Sequence, residues 1–332
     1  MFNPHSFANL LSLEAVDITQ SAQTHPLHPA PLLACLFIAL GVFGCQSSPQ
    51  ATAPPDPRPP RDLAMFTGDG TRATWEDLMT GIYEADVIFI GELHGHPEIL
   101  LFEREVAEIC AANFPGTALS LEMLERNEQP IVDQWMNEEI STDEFIDRTN
   151  SRNWGGPNSW PNGYQKVIDV VQLNDGVIYA ANAPREYVRQ SRLEGYDAVR
   201  NRPAKEHAYF AIPSTLDMGE YRERFAGEMR DNYDGDIKDE LIESTFRAQA
   251  MWDATMARTV SEALDSGAPK VVHLLGRFHS DFRGGTIMEF AERNPDANIF
   301  IISAIESASS EVDTDDLNRG DILIHVYERE RN

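Results

Sequence analysis

The sequence predicts an α/β fold, a mostly parallel central sheet covered by helices with a helical subdomain inserted. Three observations carry this. From about Met65 onward, short β-branched runs alternate with stretches of helical periodicity, the order produced when strands are joined by helical crossovers. The runs are mostly apolar on both faces, as strands covered on two sides are. Two of them, VIFIGELHGH at 87–96 and VVHLLGRFHS at 271–280, stop at the same Gly-x-x-His. In open α/β sheets ligands bind beyond the carboxyl ends of the strands, so a repeated strand end is a functional signal as well as a structural one.

The elements follow in order. Residues 31–44, PLLACLFIALGVFG, are uncharged and apolar, too short for a comfortable membrane span but suited to a signal-peptide core. VFGC at 42–45 resembles a bacterial lipobox, which makes Cys45 the lipidation site and 1–45 the signal peptide and lipobox. Residues 1–44 lack the Lys or Arg with which a signal peptide usually begins. The Pro-rich stretch 46–64 reads as a tether that forms neither helix nor sheet. The α/β domain is expected over 65–332, with strands at 85–90, 117–121, 176–181, 270–275, 297–303 and 322–327. A helix is expected over 97–113, where Pro97 suits the first turn and Leu100, Leu101, Val106 and Ile109 fall at helical spacing. Residues 127–175 read as short helices around the loop RNWGGPNSWPNGY, and 186–265 as helices ending in one long amphipathic segment. Both are expected to form lid regions over the sheet or one of its edges. The acidic stretch 309–321 reads as a solvated loop.

Composition narrows the function. With 54 acidic against 27 basic residues the formal net charge is −27, which repels nucleic acid and leaves a small-molecule ligand as the expected partner, with the membrane reached through the lipid anchor. Of three cysteines, Cys35 would leave with the signal and Cys45 would be acylated. Cys110 then remains alone, buried in a helix, and no intrachain disulfide forms.

The candidate site is built from strand ends. Gly91 and Gly276 are expected to let the chain turn sharply, so that His94 and His279 swing back over the sheet. Strand 117–121 leads into Glu122, and strand 176–181 into Asn182. If these strands are neighbours, His94, Glu122, His279 and Asn182 face one pocket. Two imidazoles and a carboxylate suit a divalent metal on His94, Glu122 and His279. They equally suit a metal-free acid/base pair, so His94, Glu122 and His279 are also the catalytic candidates of a hydrolase. Arg126, Arg185 and Arg277 could hold an anionic ligand or pair with surface carboxylates. Trp154, Trp160 and Tyr164 could line an apolar ligand face or simply pack. His96 is expected to cap the adjoining helix, and His207, His273 and His325 are expected to be structural.

The ordered set GELHGHP, SLEMLERNEQP, WGG…Y, IYAANAPREYVR, AQAMWDATMA and HLLGRFHSDF, from about residue 84 to 305, resembles the ChaN-like haem-binding lipoproteins. These belong to a superfamily shared with Tiki-type metalloproteases and erythromycin-esterase-like hydrolases. The resemblance implies an α/β domain with a helical subdomain, a lipoprotein of the cell envelope, and haem held near the interface of a homodimer in iron uptake; Gln46 after Cys45, in place of the aspartate that often retains lipoproteins at the inner membrane, sets the expectation of an outer-membrane location. The motif positions are His94, Glu122, Arg126, Gln129, Tyr164, Asn182, Arg185, Gln249, Asp253, Gly276 and His279. Of these, His94, Arg126, Tyr164, Asn182, Arg185 and His279, with Glu92, Trp154 and Arg277 beside them in the same segments, are the candidate haem-site residues. The axial iron ligand would be Tyr164 or His279.

Overall fold

The computed structural model describes residues 56–233 and 235–329. The expected signal peptide, Cys45 and the tether up to residue 55 lie outside the described residues. Among those described, no helix is long and apolar enough to cross a membrane.

The chain opens with two short strands, Ala64–Thr67 (β1) and Arg72–Ala73 (β2), then Trp75–Glu84 (α1), Val87–Glu92 (β3), Pro97–Asn113 (α2) and Ala118–Glu125 (β4). Three helices come next, Gln129–Met136 (α3), Thr142–Arg148 (α4) and Gln165–Gln172 (α5), the last entered through a π-helical turn at Trp160–Tyr164. After Val177–Asn182 (β5) come Arg185–Glu194 (α6), Tyr196–Arg200 (α7), Glu220–Asp231 (α8) and the 27-residue Asp239–Asp265 (α9). Val271–Gly276 (β6), Gly285–Arg293 (α10), Ile299–Glu306 (β7) and Ile322–Val326 (β8) complete the domain.

The eight strands form one sheet in the order β2-β1-β8-β7-β3-β6-β4-β5. All neighbours from β8 to β5 run parallel, and β1 pairs antiparallel with both β2 and β8. The α/β class and mostly parallel sheet are therefore as expected, with each of the six expected strands in place. The hairpin of β1 and β2 has no counterpart among the expected strands. Strands of four and two residues are too short to show a period of two, and their pairing depends on a partner more than 240 positions away.

Alternate residues of each inner strand supply the two cores. Ile88, Ile90, Leu119 and Leu121 pack under α1, α2 and α5 through Leu78, Ile82, Phe102, Val106 and Val167. Val87, Phe89, Val271 and Leu275 face the other way, against Met256, Ala257 and Val260 of α9 and Ile287 and Phe290 of α10. The segment read as a lid, 186–265, thus contributes one flat half: the carboxyl-terminal part of α9 is a regular covering layer. Its amino-terminal half builds two small cores of its own, with Tyr221 and Phe225 of α8 around Phe246, and with Tyr187, Val188 and Val199 around Met251.

This layering positions the site. β3 and β6 are adjacent, yet the helix after β3 (α2) covers one face and the helix after β6 (α10) covers the other. The two connections part company at the carboxyl ends of this strand pair, the topological switch point beyond which α/β proteins form a ligand-binding crevice.

Several expected structural roles are also in place. His96 caps α2 by accepting the Glu98 N–H, and its other ring nitrogen donates to the Tyr327 carbonyl at 3.0 Å. His273, fully buried in β6, bonds Ser120 and is pushed down to about 3 by burial, so it is a neutral core residue. Cys110 is buried in α2, where burial pushes its thiol up to about 12 and makes it inert.

Candidate functional site

The first Gly-x-x-His turn carries His94 from the end of β3, and the second carries His279 from the end of β6. Glu122 stands on β4, the next strand along. The three side chains meet: His94 Nε2 lies 3.9 Å and His279 Nε2 3.8 Å from the same oxygen, Oε1 of Glu122. All three are nearly buried, at 8 to 9% exposure. The other oxygen of Glu122 accepts the Gly276 N–H at 2.6 Å, which fixes the carboxylate against the β6 turn.

The two glycines matter for space rather than for a sharp turn. Neither has a positive φ, and Gly276 sits at φ −58° and ψ 132°, which any residue adopts. A Cβ on Gly276 would lie 2.8 Å from His94 Nε2, and one on Gly91 would lie 2.9 Å from Arg277 Cα and 2.7 Å from Ser280 Oγ. Each motif's glycine makes room for the other motif, which is why the pattern occurs twice on paired strands. Gly276→Ala should therefore push the His94 ring from its place, costing about 1–3 kcal/mol of stability as other overpacked sites do. Thermal unfolding of the variant checks this.

Behind each histidine stands a buried carboxylate and behind each carboxylate a buried tyrosine. His94 donates through Nδ1 to Glu92 Oε1 at 2.5 Å, and the Tyr164 hydroxyl donates to the same oxygen at 2.6 Å. His279 donates through Nδ1 to Asp253 Oδ1 at 2.6 Å, and Tyr221 donates to Asp253 Oδ2 at 2.7 Å. Thr286 adds a third bond to Asp253 at 2.9 Å, and Gln249 donates to the Tyr221 hydroxyl at 3.0 Å. Both imidazoles are thus held by Nδ1 with Nε2 turned to the crevice. Burial alone would depress their proton affinity. The opposing pull of Asp253 and Glu122 lifts His279 to about 9, and the hydrogen bond to Glu92 with the charge of Glu122 leaves His94 raised as well.

The other expected residues fall around or away from this cluster. Trp154 is half-buried and meets the His94 ring edge-on at 4.6 Å, at the rim of the crevice. Tyr164 is fully buried. Its hydroxyl accepts the Gly95 N–H while donating to Glu92, and burial beside Glu92 pushes the phenol well above its ordinary range. In this arrangement it orients Glu92 and presents no oxygen to a ligand. Trp160 is fully buried and packs on Tyr164 and Phe145. Asn182 accepts the Ala183 N–H at the end of β5, beyond β4 from the histidines.

The arginines are engaged elsewhere. Arg126 donates to the Ala208 carbonyl, Thr259 and Glu262, pinning an irregular segment to α9. Arg277 donates to the Ala304 carbonyl and lies 3.9 Å from Asp281, and Arg185 stands 3.6 Å from Glu125 at the surface. Gln129 serves the sheet edge, accepting the Ala180 N–H and donating to the Ile178 carbonyl as a missing neighbour strand would.

The expected divalent metal finds no support. Among the described residues no group of three or more His, Cys, Asp and Glu is arranged to hold one.

Sequence reasoning missed three contributors. Glu103, fully buried on α2, faces Glu92; its position four residues after Ile99 and four before Ala107, inside the apolar stripe, was the available signal. Tyr221 gave none, because α8 reaches the site through Asp253 and Gln249 of α9, contacts that arise only in tertiary packing. Arg329, near the end of the chain, donates to the His94 carbonyl at 3.1 Å while paired with Glu306.

Comparison with known proteins agrees with this architecture. The sequence model for the haem-binding uptake family, Tiki superfamily, ChaN, matches residues 78–289. The chain belongs to this family. Among solved structures, that of cofacial heme binding to ChaN of Campylobacter jejuni superposes with a TM-score of 0.60 at 19% identity, covering 81% of this chain and 99% of that one. The type III effector HopBA1 follows at a TM-score of 0.44 and 13% identity, covering 82% and 98% of the two chains. An erythromycin esterase mutant, EreC, in its open conformation gives 0.41 and 12%, covering 80% and 84%. No curated protein matches the sequence.

Proposed function

We propose that this protein binds haem at the mouth of the β3/β6 crevice, with Nε2 of His94 or His279 as the axial ligand, and that it serves iron uptake at the cell envelope. Family membership supports the ligand. The observation that carries the location is the convergence of two Nδ1-anchored imidazoles on a nearly buried floor beside Trp154. The donor set fits haem iron: an imidazole whose Nδ1–H is held by a carboxylate is oriented and made a stronger donor. Haem would supply the iron and an apolar face, with Trp154 available beside that face and Glu92 and Asp253 holding the rings. Because the carboxylates also raise proton affinity, haem competes with a proton at Nε2, and affinity should rise with pH toward 9. The binding described for ChaN of Campylobacter jejuni is cofacial. The same arrangement here would bring two crevices face to face in a homodimer. Lipid anchoring through Cys45 at the outer membrane belongs to this reading, supported by the apolar run and the VFGC sequence. Metabolic labelling with a radioactive fatty acid, lost in Cys45→Ser, tests that part.

The haem reading is tested by titrating the purified protein with haemin and following the Soret band. A saturable shift at about one haem per chain, weakened about tenfold or more in His94→Ala or His279→Ala, is the expected result. A linear, unsaturable change in all three proteins would overturn it. A second reading, a metal-free hydrolase using His94 and His279 as acid and base around Glu122, is favoured by the same convergence on one carboxylate oxygen. It predicts that Glu122→Gln abolishes turnover of a small ester panel by a protein that shows no saturable haemin binding.

A further inference from the structure

Glu103 touches neither histidine of the crevice, yet it stands directly behind the site. The side chain is 0% exposed, in the middle of the apolar face that α2 turns to the sheet, among Ile99, Phe102, Val106 and Ala107. Neither of its oxygens has a partner among the described residues, and the same holds for Oε2 of Glu92, itself 2% exposed. The other oxygen of Glu92 is fully engaged, taking both the His94 N–H and the Tyr164 hydroxyl. Three buried acceptors with no donor would be an anomaly in a well-packed core, and a single proton shared between the two carboxyl groups engages two of them.

We propose that Glu103 is a positioning residue for His94: its carboxyl group stays protonated and donates to Oε2 of Glu92. Glu92 then carries one charge, is bonded at both oxygens, and keeps Oε1 aimed at His94. The chain of contacts runs from α2 through β3 to the crevice, Glu103 to Glu92 to His94, with Tyr164 bracing Glu92 from the turn before α5. The groups that face Glu103 agree. Burial and the neighbouring charge of Glu92 raise its carboxyl well above the ordinary range, and Tyr164, the other titratable group beside it, is held as a neutral phenol. Two carboxylates enclosed together share a proton because both cannot ionise. His279 has no such device: Asp253 is satisfied by Tyr221 and Thr286, so the two halves of the site are alike at the histidines and differ one layer behind them. This role for Glu103 is independent of which ligand the crevice takes.

The test uses two variants of the full chain. Glu103→Gln keeps the shape and an N–H donor but removes the acid, whereas Glu103→Leu removes the donor. Infrared difference spectra at neutral pH should show a protonated carboxyl C=O stretch in the wild type that is absent from Glu103→Gln. Proton NMR on histidine-labelled protein, assigned with His94→Gln, should show the downfield Nδ1 proton of His94 retained in Glu103→Gln and shifted or lost in Glu103→Leu. A merely structural glutamate would leave that resonance in place in both. The proposal is overturned if no carboxylic-acid band disappears in Glu103→Gln, or if a folded Glu103→Leu keeps the wild-type His94 signal.

Discussion

Asp253→Ala is expected to destabilise the protein by about 3–5 kcal/mol, the range for breaking a buried charged pair from one side. The residue is fully buried on α9 and accepts from His279, Tyr221 and Thr286. Truncation leaves two hydroxyl donors and the imidazole N–H without their acceptor, so the loss exceeds that of a single hydrogen bond. It also removes the charge that holds His279 high. Only the charge of Glu122 then opposes burial, and the proton affinity of the ring falls. Asp253→Asn, which keeps one acceptor oxygen, should lose less stability but a similar share of the proton affinity. Urea unfolding of the two variants measures the first effect, and histidine NMR titration the second.

Native stability should fall as pH rises from about 6.5 to about 9. His279 has a higher proton affinity folded than unfolded, about 9 against 6.5. Its contribution is therefore fully present below pH 6.5 and is lost as pH climbs through 9. At about 1.4 kcal/mol per unit, the loss is about 3 kcal/mol. His94 is shifted in the same direction and adds to it. Glu128 and Glu289, both raised by burial to about 7, also lose stability with rising pH, but between 4.5 and 7. Glu103, raised well above the ordinary range, shifts in the same direction, so the share of His279 in the alkaline limb is the part that replacing Asp253 removes. Chemical unfolding midpoints at pH 6, 7.5 and 9 should decline in the wild type, with the decline between 7.5 and 9 much reduced in Asp253→Asn. A flat profile in the wild type would contradict these electrostatics.

Much of this architecture is legible in the sequence, for physical reasons that also explain what is not. Strands buried on both faces read as unbroken apolar runs, so β3 to β8 are visible, and a helix as well capped as α2 shows both its ends. The meeting of His94, Glu122 and His279 is legible once their strands are known to be neighbours, because a rigid strand end fixes where the next few residues of the chain can stand. The supports behind them are harder. Asp253 entered only through family resemblance, since its partner lies on a turn from a different strand. Tyr221 and Arg329 reach the site from α8 and the chain end, whose approach depends on tertiary packing that no local pattern records. The arginines show the converse. Arg126 and Arg277 occur in motifs that suggest an anion site, yet their guanidiniums bind backbone carbonyls and carboxylates of the same chain. An acidic protein provides each arginine with many such partners.

Whether the crevice floor formed by His94 and His279 is the haem site can be decided by pulsed electron paramagnetic resonance of the haemin-loaded protein made with 15N-histidine. The expected result is an imidazole nitrogen coupling to the iron that disappears in either His94→Ala or His279→Ala. A haem complex whose iron shows no histidine nitrogen coupling, and whose spectrum is the same in both variants, would contradict this assignment.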